Sequence, residues 1–403
     1  MNVFIADKLP AWCIEQVQSL GAKAIAKTGL AGTDLAAAVR DADANVLIVR
    51  STRVTADLID SAGSLSLIIR AGAGTDTIDT DHAAARGIYV ANCPGTNSAA
   101  VAELAMALLL AVDRRIPDNV ADLRAGRWAK KEYAKADGIK GKTFGVIGVG
   151  AVGARVIQRA KAFEMKVVAW SRSLTPERAD DLGVGFCPAP LDVARQADVV
   201  SLHVAAAPET RHLVNAEFLA AMRPRAILIN TARGEIVDQA ALIEALKAER
   251  IRAGLDVYAD EPGAADGRFD HPLRDVPNWV GTHHIGASTE QAQDETARMA
   301  MAILEAFLKT GQVPNCVNMA PEAGLHLGGC RMVVRHMDRV GVLASVLGRL
   351  RDEGINVEQM ENKVFRGAQA AVCRMTLSRP PSPELLSALQ SNADIIRAAI
   401  VEQ

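Results

Sequence analysis

A chain of 403 residues is long for one domain and points to two or three. Apolar residues make up 49% and charged residues 23%, a folded composition, and a net charge of -2 with a sequence pI near 6.5 leaves no basic footprint for nucleic acid. The six cysteines (Cys13, Cys93, Cys187, Cys316, Cys330 and Cys373) are scattered and form no CxxC pair, which argues against a zinc site or a disulfide framework.

The opening MNVFIADKLP has no basic leader or cleavage site and reads at once as a strand. The most apolar stretch, AAVAELAMALLLAV, is too short for a membrane span and contains Glu103. A cytoplasmic protein with no membrane partner is therefore expected. Short β-branched runs then alternate with Ala/Leu-rich helical patterns to about residue 285, the signature of βαβ units around a parallel sheet. The first series of strands is NVFIA, KAIA, NVLIV, SLIIR and IYVAN. A long helix follows, with Ser98 as its expected N-cap. The second series opens at GKTFGVIGVG and continues through KVVAW, DVVSLHV, AILINTA, RAGLDVY and NWVGTH, before a second long helix, TEQAQDETARMAMAILEAFLKT. Two long helices bracketing one series suggest that the chain crosses between two lobes twice. The cleft between such lobes is the default ligand site. After GQVPNCVNMAPEAGLHLGG the pattern becomes βαββαβ in about 75 residues, a separate small domain. The fold class expected is α/β: two Rossmann-like or flavodoxin-like parallel-sheet lobes plus a small α+β C-terminal domain.

The segment GVIGVGAVGARVIQRAKAF carries Gly148, Gly150 and Gly153 as G-x-G-x-x-G between a strand and a helix. That context makes the motif a dinucleotide loop: the glycines allow a tight turn, close approach to a pyrophosphate and close helix packing. The acid expected about 20 residues on, for the ribose hydroxyls, is missing. VVAWSRS offers Ser171, Arg172 and Ser173 instead. Arg172 suits a 2′-phosphate and so NADP, whereas the serines suit an unphosphorylated ribose and so NAD. The residues leave both open.

Three further segments, NTARGEIVD, GLDVYADEP and GTHHIGAST, end predicted strands of the second lobe and offer Arg233, Glu261 and a histidine. Carboxyl ends of strands in open α/β sheets converge on a bound ligand. Hydride transfer between a nicotinamide and a 2-hydroxy acid needs these three types. An arginine grips the carboxylate, a histidine moves the hydroxyl proton near neutral pH, and a carboxylate orients the imidazole. The structural alternative is an ion pair between Arg233 and Glu261 and a core histidine.

The whole set resembles the D-2-hydroxyacid dehydrogenase family, nearest its members in phosphorylated serine biosynthesis. The segments that carry the resemblance include VRSTRVTADLI, IIRAGAGTDTID, PGTNSAAVAELAMALLLA, INTARGEIVDQAALIEAL, GLDVYADEP and HIGASTEQAQ. It implies that Arg233, Glu261 and His284 are the catalytic set. His284 is chosen over its neighbour because the family proline falls on His283. It also implies that Thr231, Ala232, Asp256, Gly286 and Ala287 line the nicotinamide side, that Ala151 and Val152 lie under the pyrophosphate, and that Ser171 sits at the ribose. It tips the cofactor to NAD, with NADP possible.

For the substrate, Arg50 and Arg70 end apolar strands and match family arginines that contact a phosphorylated 2-hydroxy acid, with Gly74 and Asn97 on the same side. The expected lobes are residues 1–97 with 285–315 for substrate and 98–284 for the dinucleotide. A linker, 316–328, then leads to an ACT-like regulatory domain at 329–403. In that domain His336, Asp338 and Asn356 fall on matching positions. Those of His336 and Asn356 contact serine in serine-regulated members, and Asp338 stands where an asparagine is often seen. The resemblance therefore implies an L-serine effector and a homodimer or homotetramer. The implied activity is NAD-dependent oxidation of D-3-phosphoglycerate. Two rivals stand beside it: an NADPH-dependent glyoxylate or hydroxypyruvate reductase, and a nucleotide-sensing binding protein of the C-terminal-binding corepressor type.

Overall fold

The structure, a computed structural model, describes residues 1–262, 267–319 and 330–401. It divides into two compact units, Met1–Asn318 and Met319–Gln403. Most of the expected 316–328 linker lies outside the described residues.

The first unit holds two parallel sheets. Strands β1 (Asn2–Ile5), β2 (Lys23–Ala26), β3 (Val46–Val49), β4 (Leu67–Arg70) and β5 (Tyr89–Asn92) form one in the order β2-β1-β3-β4-β5. The register pairs Val49 with Arg70, so Arg50 and Arg70 emerge side by side at the carboxyl edge. The second sheet contains β6 (Thr143–Ile147), β7 (Lys166–Trp170), β8 (Gly185–Phe186), β9 (Val199–Leu202), β10 (Ala226–Asn230), β11 (Ile251–Leu255) and β12 (Trp279–Gly281). Its order is β12-β11-β10-β9-β6-β7-β8, with the strand order reversing between β6 and β9. That reversal opens the crevice in which doubly wound sheets take their ligands. Central strands such as β10 are buried along their whole length, because helices cover both faces.

The long helix Ser98–Arg114 packs on the second sheet through Ala102, Ala105, Leu108 and Leu109. The helix Glu290–Thr310 returns to the first sheet, where Ala297, Ala300, Met301, Ile303 and Leu304 complete its core. The first lobe is thus finished by residues from late in the chain. Ser98 is not the N-cap that was expected. It is the first helical residue, because its Oγ donates to the Gly95 carbonyl (2.6 Å) and Asn97 takes the cap position. Two further helices, Ile116–Arg124 and Lys130–Tyr133, occupy a stretch for which no element was predicted.

The second unit is a four-stranded antiparallel sheet of β13 (Cys330–Met337), β14 (Val357–Val364), β15 (Ala370–Leu377) and β16 (Ile395–Val401), ordered β14-β15-β13-β16. Helices Val342–Asp352 and Pro383–Gln390 supply Val346, Leu350, Leu385 and Leu389 to its core. The observed order is the βαββαβ read from the pattern. No helix among the described residues is long and apolar enough to cross a membrane.

Candidate active site

The segment after β11 turns on Asp256, which is buried. Its carboxylate accepts the Thr282 hydroxyl (2.6 Å) and the backbone N–H groups of Ile285 and Gly286 (2.8 Å each). Its carbonyl accepts the His284 N–H at 2.8 Å. These bonds fold residues 282–286 into a tight loop and hold His284 in the left-handed region, φ 52°. Such a conformation is uncommon for a non-glycine residue and persists only where the surroundings over-determine it.

The loop presents His284 to Glu261. Nδ1 of the imidazole lies 2.7 Å from Oε2 of the carboxylate, while Oε1 accepts the Tyr258 N–H at 2.9 Å. The hydrogen bond to Glu261 raises the His284 pKa, against a smaller opposing effect of burial. Burial alone would raise the Glu261 carboxyl. The bonds from His284 and Tyr258 and the nearby positive charges outweigh it and hold Glu261 below the usual range. With Nδ1 engaged, Nε2 is the nitrogen left for a substrate proton. The neighbouring His283 is exposed and takes no part in this pair.

Arg233 follows β10 on a turn closed by Asn230, which accepts the Ala232 N–H (3.0 Å) and donates to the Arg233 carbonyl (2.9 Å). The guanidinium reaches the first lobe, where Nη2 meets Asp76 Oδ1 at 3.1 Å. Gly74 makes the room: a methyl there would lie 2.5 Å from Arg233 Nη2 and 2.6 Å from Asp76 Oδ1. Gly234 is required next door, since a methyl would lie 1.9 Å from the Tyr258 carbonyl oxygen.

Arg50, Arg70, Asn97 and Ala287 line a solvent-open cavity of about 470 Å³. Burial lowers the Arg70 pKa, with the charges of Arg233 and Arg50 adding to the effect, and its Nε is buried without a partner. The charge of Asp76 opposes these effects, so Arg70 has one carboxylate and two guanidinium groups acting on it. Ala287, assigned by resemblance to the nicotinamide side, lines this cavity as well.

The glycine loop has the local geometry that its expected roles would need. Gly148 sits at φ 99°, and a methyl there would lie 2.6 Å from the His203 backbone. A methyl on Gly153 would lie 2.0 Å from the Gly148 carbonyl oxygen, so the helix Ala151–Ala162 can pack this closely only without one. Around Gly150 a methyl would meet nothing within 4 Å. No side chain caps the first turn of that helix, with Ala151 exposed and Val152 half-buried against the core. Free N–H groups facing open space suit a pyrophosphate. At the end of β10 the Thr231 hydroxyl is buried without a partner, beside half-buried Ala232. These features fit a dinucleotide. Behind the loop, burial drives the His203 imidazole down to about 3, so it stays neutral, bonded to Ser201 Oγ at 2.8 Å.

The model of the D-isomer specific 2-hydroxyacid dehydrogenase NAD binding domain matches residues 106–286. The chain is 37% identical over 413 residues to a D-3-phosphoglycerate dehydrogenase of Mycobacterium bovis, an alignment that covers 98% of this chain and 75% of that one. The chain belongs to the D-isomer-specific 2-hydroxyacid dehydrogenase family. A D-3-phosphoglycerate dehydrogenase of Methanocaldococcus jannaschii is 40% identical over 321 residues, 79% of this chain, and the match spans 60% of that relative's length. A glyoxylate reductase of Thermococcus litoralis is also 40% identical, over 287 residues, covering 70% of this chain and 85% of that one.

This dehydrogenase carries an NAD-binding domain, so its cofactor is NAD. Just after β7, Ser171 is half-buried and accepts the Leu174 N–H through its carbonyl, and Arg172 is exposed with no ion pair among the described residues. Sequence reasoning missed Asp76, Asn230 and His203. Asp76 and His203 carry no motif of their own, and Asn230 stands inside one whose arginine drew the attention. In the second unit, His336 is buried, with Nδ1 2.8 Å from the Met337 carbonyl and Nε2 3.1 Å from Asn362 Oδ1. Asp338 and Asn356 are exposed.

Proposed function

We propose that this dehydrogenase oxidises D-3-phosphoglycerate to 3-phosphohydroxypyruvate. NAD, when bound, supplies the hydride acceptor. Nε2 of His284 takes the hydroxyl proton, and Glu261 steadies the resulting imidazolium through the 2.7 Å bond. Arg233 grips the substrate carboxylate and polarises the C2 oxygen as hydride leaves. Arg50 and Arg70 take the phosphate. The observation that carries this reading is the placing of Arg50 and Arg70 together on the lining of one cavity, with the charge of Arg233 near enough to act on Arg70.

The reductase reading is favoured by one observation, the unpaired Arg172 where NAD enzymes place an acid. The intact Arg233, Glu261 and His284 favour an enzyme over a corepressor. Initial rates with 3-phosphohydroxypyruvate and hydroxypyruvate, each with NADH and NADPH, test the assignment. A strong preference for the phosphorylated substrate supports it, and equal or better use of hydroxypyruvate overturns it.

Two-fold association is part of this reading. The helix Ile116–Arg124 buries none of its residues, and Ile116, Val120, Leu123 and Trp128 stand exposed, Trp128 at 81%. Serine feedback rests on Asp338 and Asn356; an effector at His336 would have to displace its two internal partners. Sedimentation with and without L-serine, alongside inhibition assays, checks both.

A further inference from the structure

We propose that Lys8 is a specificity-determining residue that binds the substrate's second anionic group, and that Asp7 is the positioning residue that sets Arg50 beside it. The proposal rests on the phosphorylated-substrate reading above.

The chain leaves β1 at Ile5 and at once makes an unusual commitment. The Asp7 carboxylate accepts the N–H of Arg50 (2.6 Å), Ser51 (3.0 Å) and Thr52 (3.0 Å) and the Thr52 hydroxyl (2.9 Å). Burial would raise this carboxyl, but the four donors hold it below the ordinary value. A carboxylate so engaged fixes the exit of β3 against the exit of β1. Arg50 is the first residue of that exit.

Lys8 comes next and lines the same cavity as Arg50 and Arg70. Leu9 and Pro10 line it too, with Leu9 also packed against the core of the first sheet and Pro10 restricting the turn. Lys8, Arg50 and Arg70 bring three positive charges to the cavity, and its lining holds no carboxylate. Asp7 is engaged by the β3 exit, and Asp76, whose charge acts on Arg70, is bonded to Arg233. Neither Lys8 nor Arg50 has an ion pair among the described residues.

The charge balance selects the ligand. Arg233 is not part of this lining, and in this reading it exchanges Asp76 for the substrate carboxylate. Three remaining cations are more than a second carboxylate, at one negative charge, would match. A phosphomonoester carries about -1.5 to -2 near neutral pH with three acceptor oxygens. Lys8 reaches it as a point charge on a flexible stem, while Arg50 and Arg70 offer planar forks.

The test uses the full-length enzyme with the Lys8→Met and Asp7→Asn variants. KM and kcat are measured for 3-phosphohydroxypyruvate, for hydroxypyruvate and for a 2-oxo dicarboxylic acid. For Lys8→Met the expected result is a KM for the phosphorylated substrate raised about tenfold or more, as for loss of a charge-assisted bond, with kcat and the hydroxypyruvate KM unchanged. Lys8→Arg should recover most of the loss. Asp7→Asn should show the same substrate-selective rise; an equal loss on both substrates would mean that Asp7 is merely structural. A Lys8→Met enzyme with unaltered selectivity overturns the Lys8 assignment. A larger KM rise for the dicarboxylic acid than for the phosphorylated substrate overturns the phosphate assignment. If the native enzyme itself shows no preference for the phosphorylated substrate, the functional reading fails instead. Competitive inhibition of hydroxypyruvate reduction by inorganic phosphate then judges Lys8 separately: weaker inhibition in Lys8→Met supports the subsite, and unchanged inhibition overturns it.

Discussion

Arg233 Nη2 lies 3.1 Å from Asp76 Oδ1 although 157 residues separate them. The residue assigned to the substrate carboxylate is thus tied to the opposite lobe by a carboxylate of the protein itself. The Arg233 charge and hydrogen bond contribute to holding Asp76 below its ordinary pKa, against the opposing effect of burial.

Gly74 makes this contact possible, so Gly74→Ala should be informative. Its added methyl would press on the far ends of two flexible side chains rather than on backbone. Arg233 and Asp76 should shift and the fold should survive. The expected outcome is a melting temperature within a few degrees of the parent and a kcat/KM lower by about 10²-fold, as when one preorganised donor is lost. A parental kcat/KM would show that Arg233 need not occupy this position.

Glu261→Gln should move the pH profile in a fixed direction. The bond to Glu261 is the largest contribution raising the His284 pKa. Oxidation needs the neutral imidazole, so the native rate rises as pH passes through that raised value, and reduction falls over the same interval. Without the carboxylate both limbs should move to lower pH, and the plateau should drop by about 10²-fold. The stability sign follows from the same shifts. The pair's contribution is present while His284 is protonated and Glu261 ionised. It is lost as pH rises through the raised His284 value or falls through the lowered Glu261 value. Profiles of kcat/KM in both directions check the first claim, and melting temperature against pH checks the second.

His284→Ala should reduce turnover by roughly 10²- to 10⁴-fold, the usual worth of a positioned acid–base group. His283→Ala should leave kcat nearly intact, because His283 lies outside the pair with Glu261. Steady-state rates on both variants separate the two histidines.

Arg172→Asp should raise the preference for NADH over NADPH. The guanidinium is exposed without an ion pair, in the place where an acid would hold the ribose hydroxyls. The ratio of kcat/KM for the two cofactors, before and after substitution, is the measurement. An unaltered ratio would mean that Arg172 does not reach the ribose.

Much of the molecule was legible in the chain itself. The alternation of β-branched runs with Ala/Leu-rich stretches gave both parallel sheets, because strands buried on both faces read as continuous apolar runs. The glycine spacing pointed to the loop before the helix Ala151–Ala162, and the residue types at three strand ends named Arg233, Glu261 and a histidine, of which the fold pairs His284 with Glu261. Ser98 misled as a cap because a serine before an apolar run looks the same whether it caps the helix or begins it. The helix Ile116–Arg124 was not predicted although Ile116, Val120 and Leu123 recur at helical spacing, and it buries none of its residues within this chain.

The sequence by itself determined which residues could do the chemistry, since period and spacing are local properties. Tertiary structure alone decided which of them meet. Asp76 reaches Arg233, Asp7 holds Arg50, and Asp256 folds the loop that turns His284 towards Glu261, each across a stretch of chain that no local pattern spans. A carboxylate takes its donors wherever the fold brings them together, across the two lobes for Asp76 and between strand exits of one sheet for Asp7, and that depends on packing rather than on neighbours in sequence.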